Sequence, residues 1–175
     1  SQGTIVPVLC GSATHNIAIE HLAGAIVNSL PSPARMQEIR GTKKGGEEEV
    51  SFPTKDDSPL AALVFSTISD PYVGKLTYFR VFSGTLSSDS TVYNPNRDKE
   101  ERVGQVFIVR GKNQIVVREI PAGDIGGVAK LTETTTGDTL CDKDRPILLP
   151  SIAFPEPIMS LAVEPKTKGD EDKLS

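Results

Sequence analysis

Apolar positions along the 175 residues fall into two rhythms, one near the start and another through the rest. Ile19, Leu22, Ala23, Ile26, Val27 and Leu30 recur at the helical spacing and make one apolar stripe. Asn16 is the expected N-cap, and Pro31 with Pro33 ends the helix. Ahead of it, Ile5-Val6-Pro7-Val8-Leu9-Cys10 is a continuous apolar run closed by Gly11, which predicts a buried strand. Strand, tight turn and helix together read as the last unit of an α/β domain.

The second rhythm is shorter. Leu60 to Ile68, Leu76 to Phe82, Thr91 to Tyr93 and a longer run, Arg102 to Val109, each end in turn chemistry. Ile115 to Val117, Ile125 to Leu131, Thr139 to Cys141 and Ile147 to Leu149 continue the series. Asp70-Pro71, Ser83-Gly84, Asn94-Pro95-Asn96 and Gly111-Lys112-Asn113 supply the breaks. Strands at this spacing, with no amphipathic helix between them, predict a closed antiparallel β-barrel or a sandwich. Residues 31–58, rich in Pro, Gly and acid, read as a connector holding one extended piece, Glu49 to Phe52. Beyond Phe154-Pro155-Glu156-Pro157, Ile158 to Val163 reads as another strand, and Lys168 to Ser175 is a polar, helix-compatible tail.

Composition changes this picture little. The net charge of −4 gives the whole chain no footprint for nucleic acid. Locally, however, Lys75 to Arg118 holds eight Lys/Arg against four acids, a basic stretch in an acidic chain. The two cysteines, Cys10 and Cys141, stand far apart and suggest neither a disulfide framework nor a zinc ribbon. Gly41-Thr42-Lys43-Lys44-Gly45-Gly46 lacks the Lys-Ser/Thr of a phosphate loop and reads as linker. His15 and His21 lie six apart, which is not a helical metal pair. Thr134-Thr135-Thr136-Gly137-Asp138 reads as a strand end and turn. No nucleophile has an identifiable base.

An ordered series of strings resembles the elongation factor G family of translational GTPases. Pro7-Val8-Leu9-Cys10-Gly11-Ser12-Ala13, with Leu30-Pro31-Ser32-Pro33, resembles the end of that family's nucleotide domain. Asp70-Pro71-Tyr72-Val73-Gly74-Lys75-Leu76-Thr77, Phe79-Arg80-Val81-Phe82-Ser83-Gly84, Ala122-Gly123-Asp124-Ile125 and Thr135-Thr136-Gly137-Asp138-Thr139-Leu140-Cys141-Asp142 resemble its second domain. Phe154-Pro155-Glu156-Pro157 and Val163-Glu164-Pro165-Lys166-Thr167-Lys168 resemble the start of the third.

The resemblance implies four parts: residues 1–31 from the end of a GTP-binding domain, a linker at 32–58, β-barrel domain II at 59–153, and the beginning of domain III at 154–175. The fold expected is mainly β: a closed antiparallel barrel flanked by a strand-helix remnant of an α/β domain and a strand with a partial helix of an α+β domain. Gly11, Ser12 and Ala13 match the motif whose backbone amides approach the guanine edge. The phosphate loop and switches would lie upstream of Ser1. The stretch itself is then no enzyme and holds no cofactor, whereas the full-length parent is a GTPase using GTP and Mg²⁺.

Implied partners are small-subunit ribosomal RNA and the neighbouring G domain and domain III of the same polypeptide, in the cytoplasm, with neither membrane nor DNA. Lys75, Arg80, Arg110 and Lys112 are the candidate RNA contacts. The function implied is ribosome binding and domain coupling in GTP-dependent translocation of tRNA and mRNA. The alternatives are a recycling or ribosomal-protection GTPase, and a free-standing ligand-binding barrel. Wording that departs from the family at Val109-Arg110-Gly111-Lys112-Asn113 suggests a divergent paralogue.

Overall fold

The computed structural model describes residues 5–43, 45, 48–70, 74–111, 113–162 and 164. Its elements begin with helix α1 (Ile19–Ser29), followed by a 3₁₀ turn at Pro33–Arg35. Strands β1 (Glu38–Thr42) and β2 (Glu49–Pro53) pair as an antiparallel hairpin. The remaining strands are β3 (Ala61–Asp70), β4 (Gly74–Ser83), β5 (Leu86–Ser87), β6 (Thr91–Asn94), β7 (Lys99–Arg102), β8 (Val106–Arg110), β9 (Asn113–Val117), β10 (Glu119–Ile120), β11 (Ile125–Ala129) and β12 (Thr139–Cys141). Eight of them form one antiparallel sheet in the order β7-β6-β12-β3-β4-β11-β8-β9, and β5 pairs with β10.

The fold is thus mainly β and antiparallel, as the short strand rhythm requires. Alternation decides which side faces the core. Val64, Phe79, Val81, Val106, Val128 and Leu140 from five strands meet in one interior, and Leu86 and Ile120 of the β5–β10 pair are buried in it. Full burial of Phe79 alone contributes about 2–3 kcal/mol. Among the described residues no ladder joins β7 to β9, the two ends of the sheet. Backbone bonds from Ser88 N–H to Arg118 C=O and from Val103 N–H to Ser90 C=O tie that side of the molecule together.

A second cluster lies on the other face of the same strands. Phe52, Ile147 and Leu149 are buried against Ala61 and Cys141, with Leu63, Phe82 and Tyr93 packed around them. The β1–β2 hairpin, inside the stretch read as connector, is therefore docked on the sheet. Thr42 and Leu148 exchange backbone bonds of 2.9 and 2.7 Å, and the Ser83 hydroxyl donates to the carbonyls of Pro53 and Pro59. At Gly41 a Cβ would collide with the Leu148 carbonyl and Ile147, so only glycine permits this approach. Burial pushes the Cys141 thiol up to about 11, which leaves it an inert packing group at neutral pH.

Several expectations are corrected. Ile5 to Cys10 forms no strand and is exposed, because no described strand offers it a ladder. The helix starts later than Asn16 implied. Ala18, at φ 60°, is the N-cap and makes no side-chain cap. The run Arg102 to Val109 is not one strand but breaks at Val103–Gln105, where the chain passes from β7, at one end of the sheet, to β8, next to the other end. Ile147 to Leu149 makes only a bridge to Thr42. Ile158 to Leu161 has no ladder and is exposed. Val163 and the tail Lys168 to Ser175 lie outside the described residues. No helix among the described residues is long and apolar enough to cross a membrane.

Candidate functional site

The turn at residues 11–17 is short and closed. Ser12 and Ile17 exchange backbone hydrogen bonds of 3.1 and 2.9 Å, and Asn16 N–H donates to the Ala13 carbonyl. The Ser12 hydroxyl lies 3.0 Å from His15 Nδ1 and 3.3 Å from the Thr14 hydroxyl. These bonds occupy the Ser12 amide and side chain. The exposed Ala13 amide has no acceptor among the described residues. It borders a hollow of about 220 Å³ lined by Leu9, Gly11, Ala13, Ile19 and Leu22 among others. An open amide donor beside an apolar wall fits one edge of a planar base that presents a carbonyl. Whatever fit the turn has to a guanine edge rests on the Ala13 amide, since the Ser12 amide is taken by the Ile17 carbonyl.

The candidate cations do not make one cluster. Lys75 and Arg80 both stand on β4, five residues and about 17 Å apart along the strand. Strand alternation sets Lys75 in phase with the inward Phe79 and Val81, and Arg80 on the outward face. Lys75 Nζ donates to the Thr132 carbonyl at 3.2 Å. The Arg80 guanidinium lies over the Phe82 ring at 5.1 Å, while its buried Nε meets no acceptor. Arg110 is exposed at the end of β8, where Gly111 at φ 62° begins the turn into β9. Two strand spacings separate β4 from β8, roughly 10 Å. Arg80 and Arg110 therefore belong to the same end of the sheet. Lys112 lies outside the described residues.

Other cations of the basic stretch divide by partner. Arg97 is engaged: its Nε meets the Asp138 carboxylate at 3.1 Å and its Nη2 the Thr135 hydroxyl at 2.6 Å. Arg118, which sequence reasoning did not single out, is exposed beside the β8–β9 hairpin.

The loop that receives Lys75 is built on carboxylates. Glu101, buried on β7, accepts the backbone N–H groups of Thr132, Glu133 and Thr134 and the Thr134 hydroxyl. Burial raises the Glu101 pKa, but these hydrogen bonds outweigh it and hold the carboxyl below its ordinary value. Asp138 similarly takes Asn94 Nδ2, Thr135 N–H and Arg97. The loop 132–138 is held in place by these bonds, with few apolar anchors.

The structure also shows an outward row that the sequence reading missed. Tyr78, Gly127, Phe107 and Val116 lie side by side across β4, β11, β8 and β9. The Phe107 ring meets Tyr78 edge-on with centroids 6.3 Å apart, and it occupies the space a side chain at Gly127 would need. Two adjacent glycines inside a strand were the available signal. Exposed Ile125 and Val109 border the row, so the outward face is apolar around Arg80, while strand alternation gives Arg110 the opposite phase to Val109.

Residues 59–143 match the family model of elongation factor G domain 2. A crystal structure of a protein from Thermus thermophilus aligns with 92% of this chain at a TM-score of 0.64 and 25% identity. The chain spans 22% of that protein's length. Residues 59–143, with their antiparallel sheet, have a fold of the elongation factor G domain 2 type.

Proposed function

We propose that the chain is the ribosome-binding and domain-coupling part of a translational GTPase that promotes translocation of tRNA and mRNA. The observation that carries this is the domain 2 match, on a sheet whose hairpin end presents Arg80 and Arg110. Residues 1–31 are read as the end of a G domain, 32–58 as its linker, 59–153 as domain II and 154–175 as the beginning of domain III. Parts of the parent beyond this stretch hold GTP and Mg²⁺, and Gly11-Ser12-Ala13 contributes a guanine edge through the open Ala13 amide. The parent works in the cytoplasm.

Lys75, Arg80, Arg110 and Lys112 contact small-subunit RNA through phosphates. The docked β1–β2 hairpin supports the coupling role. A connector clamped by Phe52, Ile147 and Leu149 transmits an orientation, which a flexible one would not.

The test measures binding of the protein to isolated small subunits across a salt series. Arg80→Ala and Arg110→Ala should each lower the slope of log K against log salt by about one unit. An unchanged slope and affinity in both variants, with the sheet intact by circular dichroism, would remove these residues from the contact.

A further inference from the structure

The two ends of the eight-stranded sheet are finished differently. β7 reads Lys99-Glu100-Glu101-Arg102, and Lys143 closes on Glu100 at 2.6 Å. Charges of this kind discourage another strand from pairing there. β9 reads Asn113-Gln114-Ile115-Val116-Val117, with no charge, no proline and three β-branched residues. It pairs only with β8, and among the described residues nothing pairs with its other side.

The register shows which backbone groups are open. Arg110 and Asn113 close a two-residue hairpin, so they form a hydrogen-bonded pair. Bonded and non-bonded pairs then alternate. Ile115 and Val117 spend their groups on β8, while Gln114 and Val116 turn their N–H and C=O groups to the open edge. Towards the far end that edge is occupied, because Ser88 donates its N–H to the Arg118 carbonyl, while its hydroxyl bridges Val106 N–H and the Val117 carbonyl on the β8 side. The available template is thus the four-residue run 113–116. Its side chains, like those of Val109 and Arg110 opposite, are exposed.

Charge decides the occupant. From Arg102 to Arg118 the sequence carries four cations and no acid. Arg110 and Arg118 flank the edge, both exposed and neither in an ion pair among the described residues. A second copy is disfavoured, since it would bring the same uncompensated cations, and no acid, to the shared edge. We propose that the β9 edge binds an extended peptide segment of a partner protein, one with β-branched residues at its centre and acidic residues at its ends. The backbone ladder supplies binding, and the flanking arginines supply selectivity and direction. This inference does not depend on the ribosomal reading, which rests on the salt response of Arg80 and Arg110.

The probe is a synthetic peptide, acetyl-Glu-Glu-Val-Thr-Val-Thr-Val-Glu-Glu-amide, titrated into the full chain and followed by fluorescence anisotropy and amide hydrogen exchange. The Gln114 and Val116 amides should gain protection. Gln114→Pro removes one open donor without touching the β8 ladder and should weaken binding at least tenfold, whereas Gln114→Ala should leave it unchanged. N-methylation of alternate peptide residues leaves the protein untouched. It should abolish binding in one alternate set and spare it in the other. Replacing the four Glu by Lys should cost at least tenfold. Equal binding of both N-methylated sets, no added protection at residues 114 and 116, or indifference to peptide charge would each overturn the proposal. So would protection of those amides by a ten-nucleotide RNA in place of the peptide, which would make the hairpin a phosphate contact only.

Discussion

Helix α1 carries Ile19, Leu22, Ile26 and Val27 on one stripe, and strand β4 carries Phe79 and Val81 on one face. Either pattern, read alone, announces a buried surface. In the structure α1 buries none of its residues, while β4 sits between β3 and β11 with Phe79 and Val81 fully enclosed. The difference is in the neighbours, since the two patterns are equally clear. An apolar face has energetic meaning only when another face covers it, and a strand obtains covering from its sheet more directly than a lone helix does.

The sharpest way to break the comparison is to remove the buried ring. Phe79→Ala should cost about 3–5 kcal/mol in urea denaturation, since it empties the centre of the main core. A loss below about 1 kcal/mol would mean that the interior is loosely packed.

Next in size is the docked hairpin. Gly41→Val would force a side chain into the Leu148 carbonyl and Ile147, and it should cost about 1–3 kcal/mol. Exchange of the Thr42 and Leu148 amides should rise while that of Phe79 stays slow. Retained protection at Thr42 would show that the hairpin is not held by this approach.

Third comes Glu101→Gln, which exchanges a carboxylate for a neutral amide beneath three backbone donors and should cost about 1–2 kcal/mol at pH 7. The same group has a pH signature. Its folded pKa is depressed, so its contribution is complete above the ordinary value of 4.5 and is lost as pH falls through the lower folded value. The difference in melting temperature between wild type and Glu101→Gln should therefore shrink on acidification below about pH 4.5. A constant difference down to about pH 2.5 would assign the loss to packing.

The smallest effect belongs to the helix. Ile26→Ala on the exposed stripe should change stability by less than about 0.5 kcal/mol in this chain. A loss above about 2 kcal/mol would show that the stripe is covered in solution, and the contrast with β4 would fail.

What the sequence by itself determined is local. The period of Ile19 to Leu30 specified a helix, and the short apolar runs with Gly, Pro and Asn between them specified β3, β4, β6, β9, β11 and β12. The ordered motifs carried a likeness to the elongation factor G family, whose domain 2 model matches residues 59–143. Tertiary structure decided where covering was available. Ile5 to Cys10 has the pattern of a strand but no ladder, and Ile39 and Phe52 of the connector found a sheet face to join. Tertiary structure also decided which cations are free. Arg97 is bound to Asp138 across 41 positions of sequence, while Arg110 and Arg118 stand open beside an unpaired edge. Neighbouring residues set periodicity and turn chemistry, so the sequence displays both. Burial, pairing and charge compensation depend on residues far along the chain, and only the folded arrangement brings those together.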